Sequence, residues 1–226
     1  THNIYVDTPV TAYFSDGQES AKVLRVDGNK LIMQDGPRRV IGPGESVNIP
    51  DKSLSIEGYL TETDKKYIET GKKLGIHNYM ISFVENSSDA KGVLELDKEA
   101  KIIEKIESVK GINYINSKEY TGNGLMAARG DLFVEMKRPH HVIDAVENIL
   151  RKNSGAVVAS RILTSFSNSY EPSCSDIGDL DNLMRMGYRY FMLGDDICMK
   201  RDSVISALNL FNEMSGRYKW NQKKFW

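Results

Sequence analysis

The sequence predicts an α/β protein in two parts: a small all-β, barrel-like lid domain over residues 1–53 and, over 54–226, part of a (β/α) barrel of the TIM type made of five β/α units. Three observations predict it. Residues 4 to about 49 alternate short apolar and polar runs broken by Asp16-Gly17, Asp27-Gly28 and Asp35-Gly36, dipeptides that turn a strand back on its neighbour. After Pro50, strand-like apolar runs alternate with helical stretches, the pattern of a parallel sheet with helical crossovers. Finally, two of those strands close on charges, Lys105-Ile106-Glu107 and, 24 positions after Lys105, Arg129-Gly130-Asp131. In a barrel of parallel strands the carboxyl ends converge on one face, so these side chains can share a pocket.

The elements follow in order. Thr61-Glu62-Thr63-Asp64 has capping character and leads a helix to about Leu74. Next come a strand at Tyr79–Phe83, a helix at 86–98, a strand at Lys101–Ile106, a helix at 112–119 and a strand at Gly124–Ala128. A short helix is expected from Leu132 onward, then a helix at 139–152, a strand at Ala156–Arg161, a helix at 176–186, a strand at Tyr190–Leu193 and a helix at 201–215. Five parallel strands do not close a barrel that needs eight. The Tyr79–Phe83 and Tyr190–Leu193 edges are therefore expected to be unpaired and apolar, which invites an oligomer or a partner segment. No internal repeat stands out.

Composition narrows the function classes. With 226 residues, 40% hydrophobic, the chain can bury one substantial core plus a satellite. Its 30 basic and 31 acidic residues are interspersed, so no nucleic-acid partner is expected; Lys223-Lys224 is too short to matter. Two cysteines, Cys174 and Cys198, argue for a reducing compartment rather than a disulfide scaffold. No leader and no apolar run near 18 residues is evident, so a soluble cytoplasmic protein without a membrane partner is expected.

Two carboxylates with a lysine between them suit a divalent metal bound to an anionic oxo-acid. Read alone, Lys105 and Glu107 equally fit solvated loop charges, and Arg129 with Asp131 a structural ion pair. However, the run Lys105 to Ile112 followed by Met126 to Met136 resembles pyruvate kinase, whose barrel carries a KIE-x-x-x-G motif and then M-x-ARGDL-x-x-E. The resemblance extends along the chain in the family's order. Asn3 to Asp7 is similar to the IYVDDG that opens the family's inserted β domain, and Ser46 to Pro50 to the GVNLP that leaves it. Leu60 to Asp64 is similar to LSEKD, Ser82-Phe83 to SF, and Ala159 to Ser165 to ATQMLES. Pro172 to Asn182 is similar to PTRAEGSDVAN, and Phe191 to Leu193 to IML.

The resemblance implies a partial barrel of the phosphoenolpyruvate/pyruvate type. It implies Mg²⁺ (or Mn²⁺) on the Glu107 and Asp131 carboxylates, in keeping with how Mg²⁺ is usually held. Lys105 becomes the catalytic group that stabilises charge on the phosphoryl and enolate oxygens. Gly130 and Asp131 offer N–H groups at a helix start to the substrate carboxylate. Ser160 stands where the family has a threonine. Arg129 joins the substrate-binding group by its motif, although its chemistry also suits a residue that holds the turn. Phe83 is expected in the core. Asp176 and Asp196 match acidic family positions and suit helix caps as well as chemistry, while His77, His140 and His141 lack ligand spacing.

Departures matter too. The family strands that hold the phosphoryl group, K⁺ and part of the nucleotide precede the inserted domain, and this sequence begins inside that insertion. Nucleotide-binding residues are therefore not assigned, and the family's K⁺ ligands fall outside it. Phe133 replaces the glycine of ARGDLG, Asp7-Thr8-Pro9 replaces DDG, and Gly194-Asp195-Asp196 replaces SGE. The implied function is Mg²⁺-dependent phosphoryl transfer between phosphoenolpyruvate and ADP through a pyruvate enolate, with pyruvate and ATP as products. The alternatives are a metal-dependent 2-oxo-acid lyase or aldolase and a catalytically inert pyruvate-kinase-like subunit.

Overall fold

The structure, a computed structural model, describes residues 2–15, 17–38 and 46–218. Asp16, Lys223 and Lys224 lie outside the described residues. The amino-terminal part holds β1 (Ile4–Tyr5), β2 (Val10–Phe14), β3 (Glu19–Asp27), β4 (Lys30–Met33), β5 (Val47–Asn48) and β6 (Ser55–Ile56). Four of these make an antiparallel sheet in the order β4-β3-β2-β5, while β1 pairs with β6 in a separate ladder. Alternation along β2 and β3 buries Ala12, Phe14, Ala21 and Val23 on one face, as the period of two requires. The Asp27-Gly28 turn closes the β3–β4 hairpin, with Gly28 at φ 59°. Asp35-Gly36 follows β4, and residues 39–45 lie outside the described set.

The second part runs α1 (Glu62–Lys73), β7 (Asn78–Ile81), α2 (Ser87–Leu96), β8 (Lys101–Ile106), α3 (Val109–Asn116), β9 (Gly124–Ala128), α4 (Arg129–Glu135) and α5 (His141–Lys152). It continues with β10 (Val157–Ala159), a 3₁₀ turn at Thr164–Ser167, α6 (Cys174–Met186), β11 (Tyr190–Met192), α7 (Asp195–Cys198) and α8 (Arg201–Arg217). All five strands are parallel, in the order β11-β10-β9-β8-β7. The sheet is open, as five strands require, and Met80 and Tyr190 on its edge strands are 52% and 44% exposed. No described helix is long and apolar enough to cross a membrane.

Caps explain where the helices depart from expectation. The capping box is present at α1, where the Asp64 amide donates to Thr61 Oγ1 and the Thr61 amide to Asp64 Oδ2. α3 begins three residues before the expected 112, because the Ser108 hydroxyl accepts the Gly111 N–H at 3.1 Å. Gly111 is required there: a Cβ would meet the Val84 carbonyl oxygen at 2.8 Å. α6 starts at Cys174 because Ser173 caps it, so Asp176 is not the cap; its Oδ2 accepts the Ser165 amide at 2.9 Å. Asp196 sits exposed in the first turn of α7, a helix the sequence did not predict, and supplies no cap bond. Phe83, expected in the core, is only half-buried and has φ 51°.

Between the sheet and its helices lie Ile102, Ile106, Ile115, Leu125, Ile149, Val158 and Tyr188, all buried; the Tyr188 hydroxyl donates to the Val146 carbonyl at 2.8 Å. β8 alternates, so Ile102, Glu104 and Ile106 are buried while Lys105 on the other face is only partly so. Glu104 is fully buried. Its Oε1 accepts from Asn123 Nδ2 at 2.7 Å and the Tyr114 hydroxyl at 3.3 Å, and its Oε2 has no partner. Burial pushes this carboxyl above its ordinary range. A folded value raised above the unfolded one favours folding at low pH, and that advantage is lost as pH rises beyond about 4.5. Glu104→Gln is thus expected to be more stable than the parent at pH 8, by about 1 kcal/mol, and to lose that margin at pH 4. Equal thermal shifts at both pH values would contradict it.

Candidate functional site

The site forms where β7, β8, β9 and β10 end. Beyond β8, Glu107 is 2% exposed. Lys105 Nζ lies 2.8 Å from Glu107 Oε1 and donates to Ser82 Oγ at 3.0 Å. Glu107 Oε2 accepts the Phe83 amide at 2.5 Å, and Phe83 itself sits at φ 51° just past the end of β7. The Tyr59 hydroxyl donates to the Ser82 carbonyl at 2.5 Å and the Val84 amide to the Lys105 carbonyl at 3.3 Å, so the ends of β7 and β8 are tied around one carboxylate. Burial pushes Glu107 up to about 7, the nearby Asp131 charge pushes the same way, and Lys105 with the Phe83 N–H opposes them.

Asp131 arrives from the next strand. β9 is buried from Leu125 to Ala128, and the chain enters α4 directly at Arg129 rather than at Leu132. Asp131 in the first turn of α4 is 8% exposed, and its Oδ1 is buried with no hydrogen-bond partner. A buried carboxylate oxygen left unpaired is costly. Gly130, also buried, precedes it.

Arg129 reaches sideways to the loop after β10. Its Nη1 and Nη2 meet Asp179 Oδ1 and Oδ2 at 2.7 and 2.8 Å, its Nε donates to the Ser160 carbonyl at 3.2 Å, and its Nη2 to the Arg161 carbonyl at 2.8 Å. Four of its five N–H donors are engaged within the protein, so its observed role is to hold the turn. Ser160, half-buried at φ 64°, is fixed by that clamp at the end of β10. Lys105, Glu107, Gly130, Asp131 and Ser160 thus come from the ends of three adjacent strands. Phe83 contributes a backbone N–H rather than a ring. His77 pairs with the Asp97 carboxylate at 2.7 Å, and His140 and His141 meet edge-on with their ring centroids 4.6 Å apart.

The sequence reading missed a junction with the β domain. Asn48 on β5, 1% exposed, donates through Nδ2 to Glu135 Oε1 at 3.3 Å, and burial raises the Glu135 carboxyl. Gly17 comes so close to α4 that a Cβ would sit 2.9 Å from Val134 Cγ2, and its φ is 82°. Lys110 Nζ donates to the Leu54 carbonyl at 3.0 Å. The helix that carries Asp131 is therefore packed against the β domain along its far end. Nothing local marks Asn48 as a contact, since its partner lies 87 residues away.

Among the described residues no three or more His, Cys, Asp or Glu side chains gather to hold a metal by themselves. Glu107 and the unpartnered oxygen of Asp131 still fit a hard divalent cation, which commonly takes one or two carboxylates and completes its shell with water and substrate oxygens.

The family model described as "Pyruvate kinase, barrel domain" matches residues 2–198. The chain is similar to the pyruvate kinase of Debaryomyces hansenii, 29% identical over 192 residues that cover 81% of this chain and 38% of that protein. It is similar to pyruvate kinase 1 of Saccharomyces cerevisiae, 28% identical over 210 residues, 89% of this chain and 41% of that protein. The pyruvate kinase of Thermoplasma acidophilum is also 28% identical, over 89% of this chain and 38% of its own length. The chain thus spans about two fifths of the length of the curated relatives it matches.

Proposed function

The chain belongs to the pyruvate kinase family, and from that premise we propose that it carries the metal and oxo-acid half of an enzyme that transfers a phosphoryl group between phosphoenolpyruvate and ADP through a pyruvate enolate. The observation that carries this reading is the buried Asp131 Oδ1 without a hydrogen-bond partner, on the strand end next to the one that carries the buried Glu107, whose carboxyl the Asp131 charge pushes up. In this reading Glu107 and Asp131 hold Mg²⁺ or Mn²⁺, which when bound supplies Lewis-acid polarisation of substrate oxygens. The Gly130 and Asp131 N–H groups and the Ser160 hydroxyl receive the substrate carboxylate. Lys105, held between Glu107 and Ser82, donates to the oxygen on which charge develops, and Arg129 positions Ser160. Residues 1–53 act as the lid domain and 54–226 as the barrel portion.

The open sheet edges call for cover, either by a further barrel segment or by association of chains. Sedimentation across concentrations checks this; a purely monomeric, soluble chain would contradict it. Two free, exposed cysteines fit the proposed cytoplasmic location.

Incubation of the chain with pyruvate and Mg²⁺ in deuterated water tests the chemistry. Methyl-proton exchange is expected, since the metal, the carboxylate turn and Lys105 would stabilise the enolate while solvent accepts the methyl proton and returns a deuteron. Exchange without phosphoryl transfer from phosphoenolpyruvate to ADP would shift the reading to a 2-oxo-acid lyase; neither activity, in a folded chain, would identify an inert subunit.

A further inference from the structure

Ser82 lies one residue past β7, and Phe83 follows it at φ 51°, a conformation that side chains other than glycine rarely adopt. The Ser82 carbonyl and the Phe83 N–H are the two ends of one planar peptide, and in the trans form they point to opposite sides. Each end is bonded. The carbonyl accepts the Tyr59 hydroxyl and the N–H donates to Glu107 Oε2, both at 2.5 Å. The side chain of the same residue accepts Lys105 Nζ on its Oγ at 3.0 Å. One peptide and its hydroxyl thus serve both charged groups of this strand end, and Tyr59 holds the end turned away from Glu107.

Tyr59 comes from the segment between β6 and α1, and its own place is set from both directions. Before it, Gly58 at φ 81° lets the His2 ring approach so closely that a Cβ would meet His2 Cε1 at 3.0 Å, and His2 Nε2 lies 3.0 Å from the Tyr59 carbonyl oxygen. After it, Leu60 packs on the core and Thr61 caps α1. The Tyr59 ring also packs on that core. Burial, and after it the charges of Asp89 and Glu107, push the phenol above its ordinary range, so the hydroxyl keeps its proton and stays a donor. A donor on a peptide carbonyl also polarises the N–H of that peptide toward its acceptor.

We infer that Tyr59 is a positioning residue for the proposed enolate chemistry: by locking the Ser82–Phe83 peptide it keeps Ser82 Oγ on the Lys105 ammonium and the Phe83 N–H on Glu107. This rests on the proposed role of Lys105. An ammonium has three donors; one faces Glu107 Oε1 and one goes to Ser82 Oγ, which leaves one direction for a substrate oxygen. A peptide free to turn over releases the Ser82 hold, and that direction drifts.

Tyr59→Phe keeps the ring and removes only the hydroxyl. With Mn²⁺ at saturation it is expected to slow pyruvate methyl-proton exchange about tenfold, the usual cost of losing an outer partner of a site. Hydrogen exchange of the Phe83 amide, read by NMR, is expected to speed up about tenfold while sheet amides such as that of Val158 keep parent rates. Ser82→Ala should slow methyl exchange by a similar factor and Ser82→Thr keep most of the rate. Tyr59→Phe should cost less in the Ser82→Ala chain than in the parent, because the two act in series. Parent-like methyl exchange in Tyr59→Phe overturns the positioning role while the proposed function stands. Slowed methyl exchange without release of the Phe83 amide, or an equal cost of Tyr59→Phe with and without the Ser82 hydroxyl, overturns the route through the peptide. A parent chain without methyl exchange overturns the proposed chemistry and the positioning role together.

Discussion

Lys105→Met is expected to reduce pyruvate methyl-proton exchange by about 10²–10³-fold, the usual effect of removing one charge-stabilising donor, while Mn²⁺ still binds. Methionine keeps most of the length of the side chain and removes the ammonium. In the parent, Nζ is fixed by Glu107 Oε1 at 2.8 Å and Ser82 Oγ at 3.0 Å, so it is oriented before substrate arrives. Lys105 also opposes the upward push on Glu107; without it the Glu107 carboxyl titrates at still higher pH, and protons compete harder with the metal. The comparison therefore belongs at pH 8 or above. Exchange that survives unchanged in Lys105→Met removes the lysine from the chemistry.

Arg129→Ala is expected to destabilise the fold by about 2–3 kcal/mol, below the 3–5 kcal/mol typical of breaking a fully buried pair because Asp179 is 34% exposed. The loss has two parts: Asp179 keeps its charge without its fork, and the turn at Ser160 and Arg161 loses the two hydrogen bonds that hold it at positive φ, a conformation costing about 1–3 kcal/mol per residue. Arg129→Lys should recover little, because an ammonium cannot span Asp179 and two carbonyls at once. Urea unfolding reads the change; a shift under about 0.5 kcal/mol would mean that the turn is held by something else.

Strand identity was legible because short apolar runs alternate with helical stretches, although only β9 is buried on both faces and β8 alternates, and the Lys105, Glu107 and Asp131 placements follow once those strands are adjacent. Helix starts were less legible. Ser108 and Ser173 cap α3 and α6, yet each sits among other polar residues that compete as caps. The part of the site that the sequence hid is the part made by distant contacts. Phe83 reads as a core aromatic, but its backbone N–H serves Glu107, 24 residues on. Tyr59 ties down Ser82, Asn48 meets Glu135, and Arg161 stacks on Phe133, each through a fold that no local pattern encodes.

The central claim is that Glu107 and Asp131 together hold a divalent cation, and Mn²⁺ titration followed by electron spin resonance tests it most directly. Glu107→Gln and Asp131→Asn keep size and shape while removing one charge each. Each is expected to weaken Mn²⁺ binding at least tenfold, about 1.4 kcal/mol, and the parent affinity should fall as pH drops through about 7, where Glu107 takes up its proton. Parent-like Mn²⁺ affinity in both variants would contradict the claim.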